Sequence, residues 1–280
     1  AIRIAQDAGD EKSQAYNQGY LAGLYQIEGR HNEALTLCRS ALRLAQRHRL
    51  LDAVYQWQWQ VGRLHRALGD SDRAIEAYKG ALENLQSVRG DLAIIYGSAN
   101  SPTSFRESVG PVFFELADLL LQKASQETNL DRQTALLLEA RDTVETLKTA
   151  ELSNYFQDDC VYMVKDKAKD ISQLSGTACI VYIVPLNDRV ELLLSLPSGI
   201  RRETVKVSST DLMDQARQFR YHVERRTTYF YKDHAKKLYE WLVAPLEKHL
   251  KGIDTLVFVP DGALRTVPMA ALFDGEKYLM

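Results

Sequence analysis

One stretch of the chain repeats itself at an offset of 40 residues, and nothing else in it constrains the fold as tightly. Gly29-Arg-His-Asn-Glu-Ala34 aligns with Gly69-Asp-Ser-Asp-Arg-Ala74; the same offset pairs Leu21-Ala22 with Val61-Gly62, Leu24 with Leu64, and Ala41-Leu42 with Ala81-Leu82. Self-similarity on this scale marks units that cannot bury their apolar face alone and must stack on a neighbour. The small residues Ala22/Gly62 and Ala34/Ala74 suit two antiparallel helices in close approach, while Gly29 and Gly69 supply a left-handed stop between them. Each unit is therefore predicted to be a helical hairpin.

The alternation of small and large positions resembles tetratricopeptide repeats, lengthened by about six residues from the usual ~34. Residues 87–110 break the helical period with glycines and a proline and are predicted to be an insertion loop. Helical sequence resumes over 111–125, breaks at Gln126 to Leu130, and continues over 131–156. Leu116, Leu119 and Leu120 form one stripe and Leu137, Leu138, Ala140, Val144 and Leu147 another, which predicts a third, degenerate hairpin.

After Ser175-Gly176 the period changes. Thr177 to Val184 is nearly all apolar, as a central strand buried on both faces should be. Val190 to Leu196 and Thr204 to Val207 follow across turn signals, so a small meander is expected. Ser209 or Thr210 is read as the cap of a long helical region, with Leu212, Ala216, Phe219 and Val223 on its apolar face. A second helical segment carries Leu238, Leu242 and Leu246, with Pro245 kinking or restarting it. Thr255 to Val259 reads as a parallel-type strand that stops at Pro260-Asp261-Gly262 and restarts as a helix. The fold class is α+β, divided into 1–175 and 176–280.

Composition excludes several functions. A formal charge of -2 gives no whole-protein attraction to nucleic acid or membrane. The longest apolar runs fall far short of the roughly 20 residues of a membrane helix. Cys38, Cys160 and Cys179 are odd in number and in no metal-binding spacing, which fits a reducing cytoplasm and implies no metal or cofactor. Cys179 sits in an apolar strand, and Cys160 follows Asp158 and Asp159, whose charge opposes a thiolate. The six histidines, at 31, 48, 65, 222, 234 and 249, all fall in helical sequence: His31 and His65 occupy repeat-hairpin positions, and for His222, His234 and His249 in the long helical region polar surface roles are expected. The cationic, aromatic run from Arg217 to Lys237 has the composition of a single-strand nucleic-acid grip, but is read as a helix with aromatics inward and cations in water. No glycine-rich phosphate loop is present.

At the 260–262 turn, spacing alone leaves two readings: a tight turn with Gly262 at positive φ and Asp261 bonded to its own backbone, or the carboxyl end of a strand where ligands of open α/β sheets bind, with Asp261 and Arg265 projecting. LVFVPDGALRTVPMAALFDGEKYL resembles the first core strand and turn of CHAT domains, the caspase-like peptidase domains found behind tetratricopeptide repeats. LLLEARDTVETLKTAELSNYFQDDC resembles the joining helix of bacterial members; VYIVPLNDRVELLLSLPSG and AKKLYEWLVAPLEKHL are similar to the first hairpin and long helix. The resemblance implies a cysteine peptidase whose histidine and cysteine follow later strands, and no residue here matches their motifs. It makes Asp261 and Arg265 candidates for substrate contact and implies that the repeats bind a protein or peptide partner. The chain is accordingly read as a fragment cut at both ends, bacterial and cytoplasmic, that self-associates through an unpaired sheet edge. The competing reading is a non-enzymatic tetratricopeptide scaffold with a pseudo-peptidase domain.

Overall fold

The computed structural model describes residues 1–96, 105–156, 176–225 and 229–279, without the side chains of 86–96, 105, 154 and 156. The chain divides into two compact units: Ala1–Glu127 with Thr143–Tyr162, and Thr128–Asp142 with Met163–Met280. The class is α+β, as the change of period predicts. Among the described residues no helix is long and apolar enough to cross a membrane.

The first unit is helical. Helix α1 (Ile2–Asp7) precedes α2 (Glu11–Ile27), α3 (His31–Arg47), α4 (Leu51–Ala67), α5 (Ser71–Tyr96) and α6 (Phe105–Gln126). The predicted hairpins are α2–α3 and α4–α5. Each closes as the glycines require: Gly29 and Gly69 have φ of 76° and 79°, and the following N–H groups of Arg30 and Asp70 donate back to the Tyr25 and His65 carbonyls. The offset of 40 also links Gly9 to Arg49, both at positive φ, so α1 occupies the place of a second hairpin helix in the same register. Packing is close because the contacts are small. Ala22, Ala34, Cys38, Ala41 and Ala45 are buried with Trp57 and Leu64, and a Cβ on Gly19 would fall 2.3 Å from the Trp57 ring.

Two expectations change. Helix α5 continues to Tyr96 and α6 begins at Phe105, so much of the predicted 87–110 loop is helix; residues 97–104 lie outside the described residues. A helix tolerates Gly90 at a cost of about 1 kcal/mol, and Pro111 sits inside α6 rather than opening it. Helix α7 (Leu130–Phe156) starts where the polar break predicts, its first turn capped by the Asn129 side chain, which accepts from the Arg132 N–H.

A partly buried carboxylate fixes α6 on the second hairpin. Glu115 accepts from Trp59 Nε1 at 3.0 Å, Arg63 Nε at 2.9 Å and the Tyr78 hydroxyl at 2.6 Å, and the Arg63 guanidinium lies 4.0 Å from the Trp59 ring centre. Burial pushes the Glu115 pKa up, but the Arg63 and Tyr78 hydrogen bonds, the Arg63 charge and the Trp59 donor outweigh it and hold the carboxyl below its usual range.

The second unit is built on a four-stranded sheet of order β3-β2-β1-β4: β1 (Ala178–Pro185), β2 (Val190–Leu196), β3 (Gly199–Val205) and β4 (Thr255–Val259). The meander β1–β2–β3 is antiparallel and β4 runs parallel to β1, with Ala178 opposite Thr255 and Tyr182 opposite Val259. The third strand begins at Gly199, five residues before the predicted start, because Ile200 also enters the core. Cys179, Val181, Ile183, Leu192 and Leu194 face helices α8 (Ser209–Arg225) and α9 (Tyr231–Leu242) through Leu212, Ala216, Phe219, Leu238 and Leu242. The cap of α8 is Ser208, not Ser209 or Thr210: its Oγ accepts from the Asp211 N–H at 3.0 Å and donates to the Asp211 carboxylate. After α9, Pro245 starts a 3-10 segment, Ala244–His249, that keeps Leu246 buried.

Replacing Glu115 by Gln should lower unfolding free energy by about 2 kcal/mol, as expected for loss of a charged acceptor with several buried donors. Because its folded pKa is depressed, Glu115 contributes stability above its unfolded pKa that fades as pH falls through the folded value. Denaturant melts of both proteins from pH 7 to pH 3 should converge toward the acid end; a constant gap would contradict the assignment.

Candidate functional site

The carboxyl end of β4 carries the sequence-predicted pair. After Val259 and Pro260 the chain turns at Gly262, whose φ is 52°, into a 3-10 segment, Gly262–Thr266, followed by a second, Met269–Ala271. The predicted helix after the turn is thus two short 3-10 turns. Of the two readings, the positive φ at Gly262 holds, whereas Asp261 makes no side-chain cap to this segment. Its main-chain carbonyl instead accepts from the Leu264 N–H at 3.0 Å.

Asp261 is 1% exposed, and Arg265 approaches its carboxylate at 3.6 Å across one turn. The two candidates are therefore neighbours with different surroundings. Arg265 remains 45% exposed and lines a groove of about 600 Å³ with Arg220, Val223, Glu224, Thr266, Val267 and Pro268. Asp261 is not among the lining residues, and its carboxylate meets the groove-lining Arg265 from behind the turn. Arg220 and Glu224, one turn apart on α8, form an ion pair at 2.7 Å on the opposite wall. A groove holding two guanidiniums, one carboxylate and the apolar Val223, Val267 and Pro268 can take an extended polypeptide with polar side chains.

The turn is anchored from α8. The Ala263 N–H donates to Met213 Sδ at 3.2 Å, and a Cβ on Gly262 would lie 2.9 Å from the same sulfur. Sequence reasoning missed Met213; its position one residue after the core residue Leu212 placed it on the helix edge, with no signal for the contact.

No nucleophile is assembled among the described residues. Cys38 and Cys179 are buried, and burial pushes their thiols up to about 12 and about 11. Cys38 donates to the Trp57 carbonyl at 3.3 Å. Cys160 lies outside the described residues. His222, His234 and His249, expected at the surface, are each half-buried. His65 is 5% exposed beside Arg39, with its pKa lowered by burial and the Arg39 charge; His48 pairs with Glu11 and His249 with Glu203. His222 and His234 stack with centroids 5.1 Å apart, and His234 Nδ1 accepts from Gln215. Among the described aromatic residues of the basic run only Phe219 is fully buried. Tyr221, Tyr229 and Phe230 are exposed, with Arg225 and Lys232 over the two tyrosine rings.

Comparison with known proteins locates two families on the chain. Residues 11–87 match the tetratricopeptide repeat and residues 232–280 match the CHAT domain, so a repeat region precedes a CHAT segment that contains β4, the turn, Asp261 and Arg265. No curated protein matches the chain. Among solved structures, the crystal structure of BtubC (BKLC) from P. vanneervenii matches at 18% identity with a TM-score of 0.27, over 48% of this chain and 64% of that one, less than two thirds of its length.

Substituting Gly262 by Ala forces an L side chain into the left-handed region and against the Met213 sulfur, and should cost about 2 kcal/mol. A fall in the thermal midpoint of the second unit measures it; an unchanged midpoint would mean that the turn relaxes freely.

Proposed function

We propose that this chain, in which tetratricopeptide repeats precede a CHAT segment, is the repeat-bearing portion of a caspase-like cysteine peptidase, acting in a bacterial cytoplasm. In this reading residues 1–175 bind a protein or peptide partner and residues 176–280 begin the peptidase domain. The reactive histidine and cysteine come from sequence after Met280. The observation that supports it is the parallel β4 beside the central β1, ending within the CHAT match on a turn that offers Arg265 to a groove. Ligands of parallel sheets gather at the carboxyl ends of the strands, so this turn is the natural wall of a substrate cleft. A general base and thiol supplied by neighbouring strand ends would complete the chemistry.

The outer edge of β4 is also where self-association would occur. Parallel pairing to β1 uses alternate residues from Thr255, leaving the main-chain groups of Leu256 and Phe258 directed away from β1. A second reading, a repeat scaffold with a docking-only CHAT segment, is favoured by the burial of Cys38 and Cys179.

The readings separate on one experiment. A polypeptide extended past Met280 and the present 280-residue chain are each incubated with a peptide library, with cleavage read by mass spectrometry. Cleavage by the extended protein alone is expected, with Arg265→Ala raising KM about tenfold or more, the loss of one charge-assisted contact. An extended protein that binds a partner but cleaves nothing would establish the scaffold.

A further inference from the structure

We propose that Met213 is an oxidation site that controls the Asp261–Arg265 turn: its thioether holds the turn against α8, and its sulfoxide releases it. The functional weight of this inference rests on the turn being a cleft wall, but the latch itself does not. Three observations converge on the sulfur. The Ala263 N–H donates to Met213 Sδ at 3.2 Å. Gly262 leaves the space that sulfur occupies, since a Cβ there would sit 2.9 Å away. Asp261 gives the 3-10 segment no side-chain cap, so an early N–H of that segment is served from α8 rather than from the usual capping position. The sulfur therefore does the work of a capping oxygen, one element removed.

Thioethers are weak acceptors and the most readily oxidised apolar groups. Met213 is partly buried at the margin of the core, and a peroxide is small enough to enter beside it. A sulfur lone pair attacks the peroxide O–O bond; an S–O bond forms, the O–O bond breaks, and water leaves with the second oxygen and the protons. Sulfur is oxidised by two electrons and the peroxide is reduced. The sulfoxide is bulkier and more polar than the thioether that fits 3.2 Å from the Ala263 nitrogen and against Gly262, and seating it displaces the turn outward. Displacement of residues 261–265 would carry the Arg265 guanidinium off the groove and expose the Asp261 carboxylate. Methionine sulfoxide reductases reverse the change, so the site would record peroxide reversibly.

The test reads amide hydrogen exchange at Ala263 in the full chain, by mass spectrometry with fragmentation to single residues, and needs no catalytic activity. Met213→Leu keeps the apolar bulk and removes the acceptor, while Met269→Leu is the control for the other methionine beside the turn. In Met213→Leu, exchange at Ala263 should rise about tenfold while the melting transition is retained. Hydrogen peroxide should produce the same rise in the wild-type chain and in Met269→Leu, reversed by a methionine sulfoxide reductase, with no further rise in Met213→Leu. Unchanged Ala263 exchange when Met213 is fully converted to sulfoxide, or in a folded Met213→Leu protein, would overturn the proposal. Failure of the peptidase reading would leave these outcomes as they are.

Discussion

The parallel pairing of β4 with β1 decides where everything in the second unit lies. A parallel neighbour cannot be reached by a tight turn. The chain must leave the end of β1, complete the meander, and return across one face of the sheet before it can re-enter in the same direction. Helices α8 and α9 are that return, and they bury Leu212, Phe219, Leu238 and Leu242 on the face that Cys179, Val181 and Ile183 present. Burying each such side chain is worth about 1.5–3 kcal/mol, so the crossover both connects the strands and supplies the core. The geometry then sends the chain out of β4 at the same end as β1, beneath the wall made by α8. The groove beside Arg265 is a consequence of that topology.

The repeats rest on a different constraint, the closeness of helix axes. Alanine and glycine at the contacts let a large neighbour fill the space: Trp57 lies over Gly19, and Tyr78 lies 2.9 Å from where a Cβ of Gly62 would be. This was legible because small residues and left-handed stops leave a local trace, repeated at a fixed offset. The buried strands were legible for the same reason, since an apolar run bounded by turn residues is also local. The cap of α8 was displaced by one position because Ser208, Ser209 and Thr210 are chemically alike, and only geometry selects the one whose Oγ meets the Asp211 N–H.

The polar networks were not legible, and the cause is separation along the chain. Glu115 lies 52 residues from Arg63 and 56 from Trp59, so no window of sequence joins them. Glu191 makes the point in the sheet: it interrupts an apolar strand, is 0% exposed, and is held by Arg189, by Arg202 at 2.7 Å and by the Thr204 hydroxyl at 2.7 Å. Its partners follow from the register that places Glu191 opposite Thr204, and register is set by pairing, not by composition. The same limit applied at the candidate site. Asp261 and Arg265 drew notice because both follow one strand end in a single short stretch, whereas Met213, which meets that turn, is 50 residues from Ala263.

The two edges of the sheet were treated differently, and this bears on which face of the unit is built for contact. On the outer strand β3, Arg201, Arg202 and Glu203 interrupt the apolar sequence, and Glu203 is tied down by Lys248 and His249, as an edge meant to stay in water would be. Strand β4 is TLVFV, without a charge, and its residues from Leu256 onward are half-buried on both faces. A strand with that composition is more costly to leave open than β3, since it exposes apolar side chains together with outward main-chain donors and acceptors. Among the described residues no strand pairs with the outer edge of β4, and that edge leads into the turn held by Met213. The strand end from which the groove wall begins is therefore fixed on one side by β1 and at its turn by α8.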